Sequence, residues 1–200
     1  MMSPTIIKIQ TMKQYCNLPN TLSAFRIIAT PFLLYLAWQG FSSAFLVLLV
    51  LTFLTDMLDG LIARLLNQCS ELGAQLDSWG DAAIYFSMPL CCWWLQPDIL
   101  RQEIIFVGIA MAGAILPAII GFVKFGRLLS YHTWASKVSA AIISMSILLI
   151  FAFSITWFFR CAALFQILVA LDTIAITIML PTWQCNIRSF WHALKLSSEA

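Results

Sequence analysis

Residues 102–122 read QEIIFVGIAMAGAILPAIIGF, with a single charged residue, Glu103, close to the start of the run. A stretch this long and this apolar matches the ~20 residues an α-helix needs to cross hydrocarbon. Inside lipid the backbone must satisfy its own hydrogen bonds, which a helix does and an isolated strand does not. Five more apolar segments lie outward from it, at roughly 22–40, 42–58, 78–96, 134–156 and 161–182. The expected fold is an all-α integral membrane protein with six transmembrane helices, forming one domain over residues 1–200. Trp38-Gln39-Gly40 and Gln96-Pro97-Asp98 read as turns between spans, and Pro31, Pro89 and Pro117 as kinks within them.

Composition supports the same class. Of 200 residues, 62% are hydrophobic and 10% charged, against about 25% charged in an ordinary soluble domain. The mean hydropathy is +0.91. Fifteen Phe and eight Trp suit a lipid-facing body with aromatic anchors at the interface. The basic residues form no continuous stripe, so nucleic acid is not an expected partner. Six cysteines lack CxxC spacing and read as small apolar fillers. The first ~20 residues carry Pro4, Gln10, Asn17 and Pro19 instead of a signal-peptide core, and a short amphipathic interfacial helix is expected there.

Six crossings place both termini on one side, together with Arg64, Lys124 and Arg127, while Arg101 and Arg160 fall on the other. The positive-inside bias then puts the termini and the 56–81 region on the cytoplasmic face of the cell inner membrane.

Between the second and third spans the chain concentrates its acids. Asp56 and Asp59 are three residues apart, and Asp77 and Asp81 four apart, so each pair occupies one face of a helix. Residues 66–70 permit an antiparallel return that turns the pairs toward each other. Carboxylates packed this closely resist ionisation unless a cation compensates them. Oxygen-only ligands suit Mg²⁺ or Mn²⁺ better than zinc, and four carboxylates suffice for two ions. Gly60 and Ala63 leave room for a nucleotide against the helix backbone, Gly73 keeps the next helix start open, and Arg64 supplies a bidentate phosphate contact.

Asp56, Asp59, Gly60, Ala63, Arg64, Gly73, Asp77 and Asp81 keep every spacing of D-x2-D-G-x2-A-R-x8-G-x3-D-x3-D. In this the chain resembles the CDP-alcohol phosphatidyltransferase family. The resemblance implies a membrane enzyme that transfers a phosphatidyl group from CDP-diacylglycerol to an alcohol and releases CMP. It implies that Asp56, Asp59, Asp77 and Asp81 hold the divalent metals, that Gly60, Ala63, Arg64 and Gly73 line the CDP moiety, and that Asp77 and Asp81 are catalytic, Asp81 as base toward the acceptor hydroxyl. A homodimer is implied in the same way.

Asn17 through Arg26 resembles the N-terminal segment of the phosphatidylglycerophosphate synthase and cardiolipin synthase branch, which points to glycerol 3-phosphate as acceptor. Arg26, Lys124, Arg127 and Lys137 are the candidate donors to an acceptor phosphate. The segment from Lys124 to Lys137 departs from the Arg-Thr, Gly-Lys pattern expected of a phosphatidylglycerophosphate synthase. Cardiolipin synthesis and transfer to serine or inositol phosphate therefore stay open. A divalent-cation channel or carrier using the same acids, with Asp172 inside the last span, is the reading from another class.

Overall fold

The computed structural model describes residues 18–65, 71–126 and 134–179, with side chains described over 24–58, 79–126 and 134–179. All regular structure among them is helical: α1 (Leu18–Trp38), α2 (Ser42–Leu65), α3 (Glu71–Leu95), α4 (Pro97–Phe125), α5 (Trp134–Phe153) and α6 (Trp157–Met179). The chain divides into two compact units, Met1–Pro97 and Asp98–Ala200. The expected N-terminal interfacial helix lies outside the described residues.

In the first unit α1 packs against both α2 and α3. Its buried residues, Arg26, Ala29, Thr30, Leu33 and Ala37, recur at helical spacing and form one stripe. On α2 the buried stripe is Phe45, Leu49 and Thr52; on α3 it is Ile84, Ser87, Met88, Cys91 and Cys92. Extending these registers by one turn leads from Thr52 to Asp56 and from Ile84 back to Asp81. The acids thus continue the stripes whose apolar parts form the core.

The α1–α2 turn follows from Gly40. Its φ of +76° lies in the left-handed region, where glycine carries no Cβ penalty. The Phe41 N–H donates back to the Leu36 carbonyl at 3.0 Å and the Gly40 N–H to the Ala37 carbonyl at 3.1 Å, closing the end of α1. At that end, Tyr35, Trp38, Trp93 and Trp94 are exposed. Twelve residues separate Arg26 from Trp38, a rise of about 18 Å. The aromatic edge and the acids therefore occupy opposite ends of this unit.

In the second unit α5 packs against α6. Ala110, Ile150, Phe159 and Ala163 make its buried apolar cluster. Pro97 opens α4, where the missing N–H has no helical partner to lose, and Asp98 occupies the first turn. The Ser139 hydroxyl and Gln166 Oε1 lie 2.5 Å apart, a polar link between α5 and α6. Gly113 on α4 makes room for it: a Cβ there would stand 2.7 Å from Gln166 Cγ. Glu103, fully buried, accepts from the Arg160 guanidinium at 2.7–3.1 Å.

Pro31, Pro89 and Pro117 all lie within continuous helices. Among the described residues α4, α5 and α6 are long and apolar enough to cross a membrane, while α1 and α2 contribute shorter apolar helices, Ala24–Trp38 and Ser42–Leu58. Ile105, Val123, Trp134 and Phe153 are each at least 70% exposed. In water such an exterior would drive aggregation; hydrocarbon is its natural solvent. The protein is an all-helical membrane protein. Six helices lie among the described residues, three of them long and apolar enough to span, and the fourth runs from 97 to 125, longer at both ends than the 102–122 run.

Candidate active site

Arg26 is the first described residue of α1's buried stripe, and its side chain is entirely inaccessible. Its Nη1 donates to Asp56 Oδ1 on α2 and to Asp81 Oδ1 on α3, the latter at 2.5 Å. One nitrogen therefore joins two helices through two carboxylates. The helices need not touch extensively for this, because each packs on α1 and α1 carries the cation. The acids themselves reach outward: their side chains are 41% and 58% exposed.

Local hydrogen bonding keeps other polar groups from competing. The Thr30 hydroxyl donates to the Arg26 carbonyl at 2.9 Å, Thr52 to Leu48 at 2.6 Å and Thr55 to Thr52 at 2.8 Å. Such bonds back onto the preceding turn satisfy each hydroxyl within its own helix. The carboxylates are left as the acceptors for the guanidinium.

Of the acids singled out from sequence, Asp56 and Asp81 are thus brought to one point. Asp59, Gly60, Ala63 and Arg64 belong to the last turns of α2, and Gly73 and Asp77 to the first turns of α3; their side chains are outside the described set. Among the described residues no three His, Cys, Asp or Glu side chains converge. Two carboxylate oxygens from different helices do meet there, a donor type that suits hard divalent cations.

The remaining basic candidates belong to the second unit. Lys124 Nζ donates to the carbonyls of Thr177 at 3.0 Å and Ile178 at 2.8 Å, near the end of α6. Lys137 Nζ stands 5.7 Å from the Trp134 ring centroid. Arg127 is outside the described residues. Asp172, half-buried on α6, has no hydrogen-bond or ion-pair partner among the described residues.

Sequence reading missed two polar links, Glu103 with Arg160 and Ser139 with Gln166. The signal was present: Glu103 opens one apolar run and Arg160 immediately precedes another on the same predicted side. Gln166 interrupts the last apolar run, where an amide needs a partner.

The family model for CDP-alcohol phosphatidyltransferase matches residues 16–186. The chain belongs to this family. A putative cardiolipin synthase of Mycobacterium tuberculosis (strain ATCC 25618 / H37Rv) is 30% identical over 108 residues, covering 50% of this chain and 52% of that protein. The CDP-diacylglycerol–glycerol-3-phosphate 3-phosphatidyltransferase of Aquifex aeolicus is 35% identical over 91 residues, 46% of this chain and 51% of its own. That of Wigglesworthia glossinidia brevipalpis is 39% identical over 71 residues, 34% and 39% respectively. The chain spans about half the length of the first curated relatives it matches. No solved structure matches it. As a CDP-alcohol phosphatidyltransferase family member the chain carries the whole D-x2-D-G-x2-A-R-x8-G-x3-D-x3-D pattern, and two of its acids meet at Arg26.

Proposed function

We propose that the protein transfers the phosphatidyl group of CDP-diacylglycerol to glycerol 3-phosphate, releasing CMP. The observation that carries this reading is the convergence of Asp56 and Asp81, from two helices, on one cationic nitrogen at the exposed end of the first unit. Family membership supplies the donor chemistry, and the relatives from Aquifex aeolicus and Wigglesworthia glossinidia brevipalpis are named for this acceptor.

In this reading Asp56, Asp59, Asp77 and Asp81 would hold Mg²⁺ or Mn²⁺, as two ions. Bound there, the metal would neutralise the diphosphate and polarise the attacked phosphorus. Gly60, Ala63 and Gly73 admit the CDP moiety, and Arg64 contacts its phosphate. Asp81 accepts the proton of the acceptor hydroxyl as that oxygen bonds to the lipid-bearing phosphorus and the bond to CMP breaks. Lys124, Arg127 and Lys137 are the acceptor-side donors. Holding the hydroxyl against the phosphorus supplies the remaining advantage, since a free hydroxyl is a weak nucleophile.

The whole of residues 1–200 forms one transferase domain in this reading, supported by a family match that extends through both compact units. Six spans, a cytoplasmic site in the cell inner membrane, and a homodimer complete it. The topology rests on the distribution of Arg64, Lys124 and Arg127 against Arg101 and Arg160.

Cardiolipin synthesis is the second reading, favoured by the Mycobacterium tuberculosis relative, whose name carries that activity. Incubating purified protein and CDP-diacylglycerol with glycerol 3-phosphate, phosphatidylglycerol, serine or inositol phosphate separates them. Phosphatidylglycerophosphate should form with the first acceptor. Cardiolipin from the second alone transfers the assignment to the rival, and no CMP release with any acceptor ends the transferase reading.

A further inference from the structure

We propose that Arg26 is a built-in counter-cation of the acidic cluster, which neutralises Asp56 and Asp81 before a divalent ion arrives and competes with that ion for their oxygens. This rests on the reading of those acids as metal ligands. It assigns Arg26 a task different from the acceptor-phosphate contact expected from its place in the sequence.

Three observations carry it. Arg26 is wholly buried, whereas both carboxylates it meets are substantially exposed. Its Nη1 serves Asp56 and Asp81 together. The two acids are delivered by helices that each pack on α1, the helix that carries the arginine.

The physical consequences oppose each other usefully. Two carboxylates drawn to one point repel. A guanidinium between them offsets that repulsion and ties α2 and α3 to α1. A buried guanidinium in turn depends on those carboxylates, because an uncompensated charge in the interior is costly. A divalent ion approaching from the exposed side meets oxygens already engaged by a positive charge. Like-charge repulsion at a few ångströms, at the effective dielectric of a protein edge, weakens its binding by roughly tenfold or more. When the ion binds, the guanidinium yields at least one carboxylate oxygen to it. Arg26 is therefore a positioning residue that sets the metal affinity of the acids.

The test uses the full chain in lipid nanodiscs without CDP-lipid, with Mn²⁺ binding followed by electron paramagnetic resonance. Arg26→Gln should bind Mn²⁺ about tenfold more tightly than wild type. In EDTA it should also melt at a lower temperature than wild type, with the gap closing at saturating Mn²⁺. Arg26→Lys, whose compact ammonium lacks the guanidinium fork, should fall between the two in affinity. Should the glutamine variant fail to fold, the lysine variant decides by the same criterion. Affinity equal to or weaker than wild type in the folded variant overturns the proposal while leaving the metal site intact. Absence of Mn²⁺ binding in wild type overturns the metal reading itself, which is a distinguishable result.

Discussion

The two units each contain an arginine–carboxylate link, built with opposite exposure. In the first, the cation is buried and its acids are open: Arg26 is inaccessible while Asp56 and Asp81 are 41% and 58% exposed. In the second, the acid is buried and the cation is open: the Glu103 side chain is 2% exposed and that of Arg160 49%. The difference assigns the roles. Exposed carboxylates over a buried cation still present oxygens to solutes, so that link can exchange partners. A buried carboxylate held by three guanidinium contacts has its oxygens engaged from the outside, and the Phe106 ring 5.6 Å from the guanidinium covers it further. The first link suits chemistry and the second suits holding α4 to α6.

Substituting the acids separates the links most sharply. On the proposed roles of Asp81 as metal ligand and proton acceptor, Asp81→Asn should lower CMP release by about a thousandfold or more. Glu103→Gln should leave CMP release within about twofold of wild type, because only packing depends on it. A thousandfold loss in the second variant would erase the distinction.

Removing the arginine of the structural link comes next in size. Arg160→Met leaves Glu103 buried without its cation, only the Thr156 side-chain hydrogen bond remaining, and should lower the melting temperature by a few degrees in detergent, more than Glu103→Gln does. Equal melting of the two variants would show that burial of the acid does not set the cost.

A smaller effect is expected where α4 approaches α6 away from either ion pair. Gly113→Ala drives a Cβ toward Gln166 Cγ, 2.7 Å away in the present arrangement, and should cost about 1 kcal/mol through the displaced Ser139–Gln166 contact. In a Gln166→Ala background the same substitution should be close to neutral. Persistence of the full penalty there would place the strain outside the Gln166 side chain.

Lys124→Ala should have the least effect on stability, about 0.5–1 kcal/mol, from losing the donor to two carbonyls near the end of α6. Its acceptor role is checked in the same variant: a rise in KM for glycerol 3-phosphate exceeding tenfold would make Lys124 a phosphate donor first and a cap second.

Much of the architecture could be read without coordinates. The apolar runs announced their helices, and Gly40 announced the first turn because a positive φ favours the residue without Cβ. Asp56 and Asp81 lie on different helices and meet at Arg26, which their membership of one motif suggests. Helix ends were harder, since residues 97–101 and 123–125 are polar or flanked by charge yet continue α4 without interruption. Arg26 was recognised as a site residue but given to phosphate, because sequence places it thirty positions from Asp56 with nothing to show which face of α1 it occupies.

By itself, then, the sequence determined the solvent, the secondary structure and the family. Hydropathy sets the first, backbone hydrogen bonding within lipid sets the second, and the spacing of the motif residues carries the third. Tertiary structure alone decided which charges neutralise one another. Arg26 found Asp56 and Asp81, and Arg160 found Glu103, through the packing of separate helices. Pairing across that distance depends on helix rotation and crossing, which local spacing does not encode.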